Sequence, residues 1–213
     1  MYAPQQFRED RQDVLLGVIR DIQLAAIVTP AADGLHATHA PVIVRQDEGG
    51  VILETHVARA NDHWRFAGAK SLMIFQGPHS YIHPGWYETK QESGKVVPTW
   101  TYVVVHAHGT LSAFDDPGEL IAHVTALTEQ NETPRVEPWA VSDAPGQYIE
   151  RMTRGIVGLR LKVERLEGSW KLNQHKSEGD KRGVTAGLAE EDDANARAVG
   201  ALMRDLGHDR TPA

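Results

Sequence analysis

The sequence predicts an α+β protein built on an antiparallel β-barrel with peripheral helices. Many short β-rich runs follow one another at hairpin spacing, and amphipathic helical stretches occur between groups of strands rather than after every strand. Regular alternation of strands and helices would instead indicate a parallel sheet. With 41% hydrophobic and 24% charged residues, the 213-residue chain is expected to fold, as a single domain over residues 1–213.

The first part of the chain predicts a helix followed by an antiparallel meander. From Arg8 to Gln23 apolar residues recur at helical spacing. Asn61 is placed to cap a short helix that extends to about Ala69. Between these helices lie three β-rich runs separated by turn-forming residues, namely Leu24–Thr29, Leu35–Val44 and Val51–Val57.

The middle of the chain predicts three more strands. Ser71–Phe75 and Ser80–His83 are separated by a Gln-Gly-Pro turn, and Val97–Phe114 is one long strand. On the long strand, one face is apolar and the other carries His106 and His108. No third ligand accompanies these two histidines, so the sequence predicts no metal site.

The last part of the chain predicts three helices and one strand. Asp116, followed by proline and then by Glu119, marks a helix start, and a second helix covers about Gly146 to Arg154. Ile156–Leu166 is a half-exposed strand, and a helical appendage occupies about 190–207. The stripe that the first of these helices is expected to bury consists of Leu120, Ile121, Val124 and Leu127.

Charge and composition exclude several classes of function. A formal net charge of −7 disfavours direct DNA binding, and the absence of cysteine excludes disulfides, thiolate nucleophiles and iron–sulfur clusters. The sequence lacks a phosphate loop, a GxGxxG turn, a GxSxG elbow and an HExxH pair. The first residues, MYAPQQFRED, contain no apolar core of a signal peptide, and no apolar run approaches the roughly 20 residues that span a membrane, so a cytoplasmic protein without membrane association is expected.

Two segments have the residue types of a ligand site. Arg59 follows a strand and precedes the helix start at Asn61, where a guanidinium and free backbone donors could hold an anion, or where Arg59 could simply pair with a carboxylate. Many of the aromatic residues lie between Ser80 and Tyr102, where they could stack on a planar ligand, fill a core or form a subunit interface.

Motifs along the whole chain resemble those of the PaiB family of FMN-binding proteins. They are MYAP at the start, THVARANDHW, FQGPHSYIHPGWY, VPTWTYVVVHAHG, GIVGLRLKVERLEG and KLNQHK. The resemblance implies a bacterial flavoprotein with the split β-barrel of pyridoxamine phosphate oxidases and flavin reductases. It also implies a homodimer with FMN sites at the subunit interface.

The same motifs imply which residues bind FMN. Arg59 and Asn61 match the phosphate end of the site, Lys171 is a second candidate for the phosphate, and Trp100 is placed to pack near the flavin ring. The full set implied by the resemblance is Arg59, Asn61, Thr55, His56, Thr99, Trp100, Tyr102, Lys171 and Gln174. No catalytic residue is implied.

Three functions remain open on the sequence. The first is a flavin-binding protein or a flavin-dependent oxidoreductase that acts on a small molecule. The second is a negative transcriptional regulator that senses flavin or acts through a protein partner. The third is a haem-binding split barrel, for which the eleven histidines of the chain supply candidate ligands.

Overall fold

The computed structural model describes residues 1–208, which form eight β-strands and six α-helices. The strands are β1 (Arg8–Glu9), β2 (Leu24–Ala31), β3 (Gly34–Pro41), β4 (Ile43–Asp47), β5 (Gly50–Ala58), β6 (Lys70–Ile82), β7 (Thr99–Phe114) and β8 (Ile156–Lys171). The helices are α1 (Gln12–Ile22), α2 (Thr89–Ser93), α3 (Pro117–Glu132), α4 (Gly146–Arg154), α5 (Glu178–Glu190) and α6 (Ala194–His208). No helix within the described residues has both the length and the apolar composition that crossing a membrane requires.

The strands belong to one mostly antiparallel sheet in the order β3-β2-β6-β7-β8-β5-β4, and β1 pairs with β8. The chain divides into two compact units. The first unit comprises Met1–Arg11, Gln76–Val105 and the described residues from Glu167 on, and the second comprises Gln12–Phe75 and His106–Leu166.

The core of the second unit lies between its strands and the helices that cover them. Leu15 and Ile19 of α1, Ile27 of β2 and Leu53 of β5 are almost completely buried. Both α1 and α3 pack on β4, as expected for helices on the outside of a sheet. The start of α3 is as predicted, because Asp116 accepts a hydrogen bond from the backbone of Glu119.

The core of the first unit includes a helix that the sequence analysis missed. Helix α5 lies in a glycine-rich stretch for which the sequence analysis predicted no helix, and Trp86 packs directly on its glycines. A Cβ atom at Gly187 would lie 2.4 Å from the Trp86 ring, and one at Gly183 would lie 2.0 Å from the backbone oxygen of Trp86. These glycines allow close packing, which explains a composition that otherwise disfavours a helix.

Prolines account for two differences between prediction and structure in the strands. The predicted turn at 76–78 is wrong, because β6 runs through it. Pro78 lies beyond the three residues of β6 that pair with β2, where a missing N–H group breaks no hydrogen bond to β2. The predicted single strand Leu35–Val44 is interrupted after Pro41, where the chain leaves β2 and joins β5.

Three other boundaries differ from the prediction, and two of them depend on distant parts of the chain. The predicted helix from Arg8 starts only at Gln12, because Arg8 and Glu9 form β1 and pair with β8. This pairing accompanies the extension of β8 to Lys171, five residues beyond its predicted end at Leu166. Helix α6 continues to His208 rather than ending at Gly207. The pairing of β1 with β8 cannot be predicted from local periodicity.

Helix α3 buries a different stripe from the one predicted. Leu120 is buried as expected, but Ile121 is 36% exposed and Val124 and Leu127 are only partly covered. The second buried side chain of α3 is His123, which is completely enclosed. A buried polar side chain needs hydrogen-bond partners, so His123 directs attention to the residues around it.

Candidate functional site

Four of the predicted cofactor-binding residues lie at the start of β7 and the end of β8 in the first unit. They are Thr99, Trp100, Tyr102 and Lys171, which we call the Lys171 surface. Nζ of Lys171 donates a hydrogen bond to Oγ1 of Thr99 over 3.0 Å. It also lies 5.7 Å from the centroid of the Tyr102 ring, within range of a cation–π contact.

Trp100 exposes a large aromatic side chain on this surface. It is 55% exposed, and its ring centroid lies 6.3 Å from that of His79 and 6.2 Å from that of Tyr81 on the neighbouring strand β6. A large aromatic side chain left open to water offers apolar area on which a planar ligand can stack.

The charge of Lys171 is not neutralised by an acidic side chain. Among the described residues no carboxylate lies within ion-pair distance of its Nζ atom, whose partners are a hydroxyl and an aromatic ring. FMN combines a phosphate dianion with a planar tricyclic ring, so it needs a cation and an apolar or aromatic surface. The side chains of the Lys171 surface fit both requirements.

Gln174, also predicted to bind the cofactor, closes its own turn instead of extending outward. Its side-chain amide donates to the backbone oxygen of Trp170, and its side-chain oxygen accepts from the backbone nitrogen of Leu172 over 2.9 Å. The preceding residue, Asn173, is in the left-handed conformation with φ of 60° and is completely buried. These hydrogen bonds shape the turn that follows Lys171.

The guanidinium of Arg59, in the second unit, forms hydrogen bonds within the protein. Its Nε donates to the backbone oxygen of Arg154 over 2.9 Å, and its Nη2 donates to that of Ile156 over 3.0 Å. Nη1 lies 3.9 Å from a carboxylate oxygen of Asp115. We call this arrangement the Arg59 corner.

A cavity of about 420 Å³ opens beside the Arg59 corner. Two basic side chains, Arg59 and Arg154, and two acidic ones, Asp115 and Glu150, contribute to its lining. The remaining lining residues are Pro117, Leu120, Ile121 and Thr153. The charges of the cavity wall therefore balance, which makes the cavity less attractive to a phosphate dianion than an unpaired cation would be.

Asn61 and Thr55 also have partners within the second unit. Asn61 caps the 3₁₀ turn Asp62–Phe66 as predicted, because its side-chain oxygen accepts from the backbone of His63 over 3.0 Å. Its amide donates to the Thr38 hydroxyl over 3.3 Å. Thr55 is buried and donates to the backbone oxygen of Pro41 over 2.5 Å. Any role of these two residues in binding FMN stays a prediction.

His56 belongs to a cluster whose other members the sequence analysis missed. Its Nδ1 lies 3.0 Å from Nε2 of His123, and Nδ1 of His123 lies 3.0 Å from Oε1 of Glu54. Nε of Arg160 donates to Oε2 of the same carboxylate over 2.7 Å. We call Glu54, His56, His123 and Arg160 the Glu54 cluster.

The environment of this cluster determines its protonation. Burial acts to raise the pKa of the Glu54 carboxyl, but the hydrogen bonds from His123 and Arg160 outweigh burial and lower it to about 2. Burial, with the nearby charge of His123, lowers the pKa of His56 to about 4. At neutral pH the cluster thus contains an ionised carboxylate and an uncharged His56 ring.

One sequence signal could have identified Glu54. It is a carboxylate inside the apolar run VILETHV, and it lies two residues before His56, on the same face of the strand. The register that places Arg160 opposite Glu54 joins strands far apart in the chain, so the ion pair itself could not be predicted.

Comparison with solved structures identifies the fold. The FAD- and haem-binding protein of Mycobacterium smegmatis has a TM-score of 0.55 at 12% identity, covering 77% of this chain and 73% of that one. The flavocytochrome Anf3 of Azotobacter vinelandii has a TM-score of 0.57 at 9% identity, covering 83% and 75%. The predicted α+β class and antiparallel split barrel are confirmed.

Comparison with known sequences identifies the family. The family described as "Putative FMN-binding domain" matches residues 1–165. Protease synthase and sporulation protein PAI 2 of Bacillus subtilis is 30% identical over 207 residues, which cover 96% of this chain and 97% of that protein. The chain therefore belongs to the PaiB family of FMN-binding proteins, and this membership supports FMN as its cofactor.

Proposed function

We propose that this protein binds FMN through the Lys171 surface and uses it as the redox cofactor of an oxidoreductase that acts on a small molecule. The observation that supports this most is the un-neutralised charge of Lys171 beside the exposed ring of Trp100. Membership of an FMN-binding family is consistent with this choice of ligand.

In this proposal Lys171 binds the phosphate, and Thr99 holds the lysine side chain in place through their hydrogen bond. Trp100 supplies apolar area for the flavin ring. Bound FMN would supply one- and two-electron transfer. Arg59 remains the second candidate for the phosphate, but its guanidinium would have to keep or exchange its bonds to the backbone oxygens of Arg154 and Ile156.

The test of binding is the absorbance spectrum of the purified protein after incubation with FMN. A yellow protein with the two flavin bands after removal of free FMN is the expected result. A Soret band in the protein as isolated would instead favour the haem-binding alternative. Loss of flavin retention in Trp100→Ala, with Trp139→Ala as a matched change of another half-exposed tryptophan, would assign binding to the Lys171 surface.

The test of catalysis follows the flavin band itself. Mixing the FMN-loaded protein with NADH or NADPH in a stopped-flow instrument is expected to bleach the flavin band, and adding an electron acceptor is expected to restore it. A flavin that binds but is not reduced by either nucleotide would argue against the oxidoreductase.

A second function, regulation through flavin sensing and a protein partner, is favoured by one observation. The Bacillus subtilis relative is named for protease synthesis and sporulation. The net charge of −7 disfavours direct DNA binding, so a regulatory role would require a partner. A flavin-dependent change in co-purifying proteins, without reduction of the flavin by nicotinamide nucleotides, would support this second function.

We also propose that the chain forms a homodimer. The exposed aromatic side chains Tyr81 and Trp100, at 45% and 55% exposure, are of the type enriched in subunit interfaces. Light scattering at micromolar concentration is expected to give twice the mass of one chain. A single-chain mass would contradict the dimer.

A further inference from the structure

The Glu54 cluster contains a continuous row of three titratable groups. Glu54 contacts Nδ1 of His123, and Nε2 on the other edge of the same ring contacts Nδ1 of His56, each over 3.0 Å. His123 is completely enclosed, whereas His56 is only partly buried. The row therefore leads from a buried carboxylate, through a buried imidazole, to an imidazole near the surface of the second unit.

The strands and helix that carry these groups fix their positions. Glu54 and His56 lie on the same face of β5. On the neighbouring strand β8, Arg160 lies opposite Glu54 and Gly158 lies opposite His56. Gly158 leaves room for the Phe114 ring, since a Cβ atom there would lie 2.1 Å from it. The Phe114 ring in turn packs edge-on against the His123 ring, with centroids 6.1 Å apart.

The ring of His123 lies beside a network of charged groups. Its nearest ionised neighbour is the Glu54 carboxylate, which also accepts from Arg160 of β8 over 2.7 Å and lies 3.4 Å from Arg45 of β4. Glu119 of α3 lies 3.4 Å from Arg160. The carboxylate is thus held in a fixed orientation toward the buried ring.

The outer nitrogen of the row is open. Among the described residues, Nε2 of His56 has no hydrogen-bond partner, and it is not one of the enclosed side-chain atoms left without one, which belong to Tyr87 and Asn173. An imidazole held by one nitrogen with the other nitrogen free is the arrangement of a general acid or base.

We propose that Glu54, His123 and His56 form a proton relay, in which His56 exchanges a proton with a bound small molecule carrying an ionisable N–H or O–H group. His123 and Glu54 are positioning residues that hold the proton inside the second unit. The relay is a property of the chain itself and does not depend on the proposed binding of FMN.

The proton moves in two transfers. The bond between the ligand atom and its hydrogen breaks, the electron pair stays on the ligand, and the proton joins Nε2 of His56. The proton on Nδ1 of His56 then passes to Nε2 of His123, which becomes an imidazolium beside the Glu54 carboxylate. His56 is neutral before and after, with its hydrogen moved from Nδ1 to Nε2. The reverse sequence returns the proton.

The electrostatics of His56 agree with this scheme. Burial is the largest cause that holds the pKa of His56 near 4, so His56 resists keeping the proton as its own charge. The Glu54 carboxylate contacts His123, so the positive charge of the transferred proton is more favourable on His123 than on His56.

The relay is tested by nitrogen NMR of the histidine rings in the full chain without flavin. As the pH falls, His56 is expected to exchange its protonated nitrogen in the same step in which His123 becomes charged, and to ionise itself only near pH 4. His36, which pairs with Asp33 over 2.8 Å, serves as an internal reference. Independent titration of His56 and His123 would overturn the proposal.

Two variants separate the relay from a merely structural role. Glu54→Gln is expected to move the shared step lower by about one to three pH units, because the carboxylate no longer favours the imidazolium. Glu164→Gln, which removes an exposed carboxylate paired with Lys70, is expected to leave the step unchanged. If Glu54→Gln does not fold, His123→Gln carries the test, because it should abolish the exchange of nitrogens in His56. Persistence of that exchange in His123→Gln would overturn the proposal.

A chemical probe tests whether the outer nitrogen is accessible. Diethyl pyrocarbonate acylates neutral imidazole nitrogens that solvent reaches, and mass spectrometry locates the label. At about pH 8, where an ordinary imidazole is neutral, His56 is expected to be labelled and the enclosed His123 to remain unlabelled. A protein in which His36 is labelled and His56 is not would show that His56 cannot exchange protons with a ligand, and the relay would be wrong.

Discussion

The Lys171 surface and the Arg59 corner contain the two cations that the sequence assigned to a phosphate, and they differ in what surrounds the charge. Arg59 donates to two backbone oxygens and faces Asp115, in a cavity wall with equal numbers of basic and acidic side chains. In the part of the chain that the structure describes, Nζ of Lys171 contacts a hydroxyl and an aromatic ring and no carboxylate. A basic residue in a family motif is therefore a candidate anion site only when the fold leaves its charge without a counter-ion.

The Glu54 cluster extends this comparison to buried charge and gives the largest expected effect on stability. Glu54→Gln leaves Arg160 without its closest partner, so the free energy of unfolding should fall by about 3–5 kcal/mol, as for other broken buried ion pairs. Lys171→Ala removes a hydrogen bond and a cation–π contact but, within residues 1–208, no ion pair, so it should lower the free energy of unfolding by only about 1 kcal/mol. Denaturant unfolding followed by circular dichroism measures both. Equal losses in the two variants would contradict the contrast.

The Arg59 corner should show an intermediate effect. Arg59→Ala removes the hydrogen bonds to Arg154 and Ile156, and because the arginine side chain is 44% exposed we expect a loss of only about 1–2 kcal/mol. The same denaturant unfolding measures it, with Arg65→Ala as a control, since Arg65 is more exposed and contacts the nearby side chains of Asp62 and Trp64. An unchanged stability would show that Arg59 is free to serve a ligand.

Mild acid should weaken the second unit through His56. Its pKa is near 4 in the folded chain against an ordinary value of 6.5, so the unfolded chain takes up a proton at a pH where folded His56 does not. The free energy of unfolding should therefore fall as the pH drops from 6.5 to about 4, by at most about 1.4 kcal/mol per pH unit. His56→Gln should flatten this part of the profile. A profile that His56→Gln leaves unchanged would contradict this assignment.

Local signals were enough to predict the fold class and many elements. The cap at Asp116, the helix Gly146–Arg154 and the alternation along β7 all follow from residues close in sequence. Long-range pairing was not predictable: β1 forms only because β8 accepts it, and the glycines of α5 make sense only once Trp86 lies against them.

The distinction between local signals and long-range contacts also applies to the candidate site. The contact between Lys171 and Thr99 joins two motifs that the sequence had singled out separately. The partners of His56 were not predicted, because the stripe that α3 was expected to bury contained only apolar residues and did not include His123. Glu54 could have been noticed, since a carboxylate in the middle of an apolar strand must be paired when it is buried.

The measurement that most directly tests the central claim compares FMN with riboflavin, which lacks the phosphate. Lys171→Ala should weaken FMN by about 1.5–3 kcal/mol, roughly ten- to a hundredfold in Kd, and leave riboflavin nearly unchanged. Lys162→Ala, an exposed lysine on the same strand, should affect neither flavin. Fluorescence quenching titrations of the wild type, Lys171→Ala, Lys162→Ala and Arg59→Ala give the comparison. A selective loss of FMN in Arg59→Ala with none in Lys171→Ala would contradict the claim and assign the phosphate to the Arg59 corner.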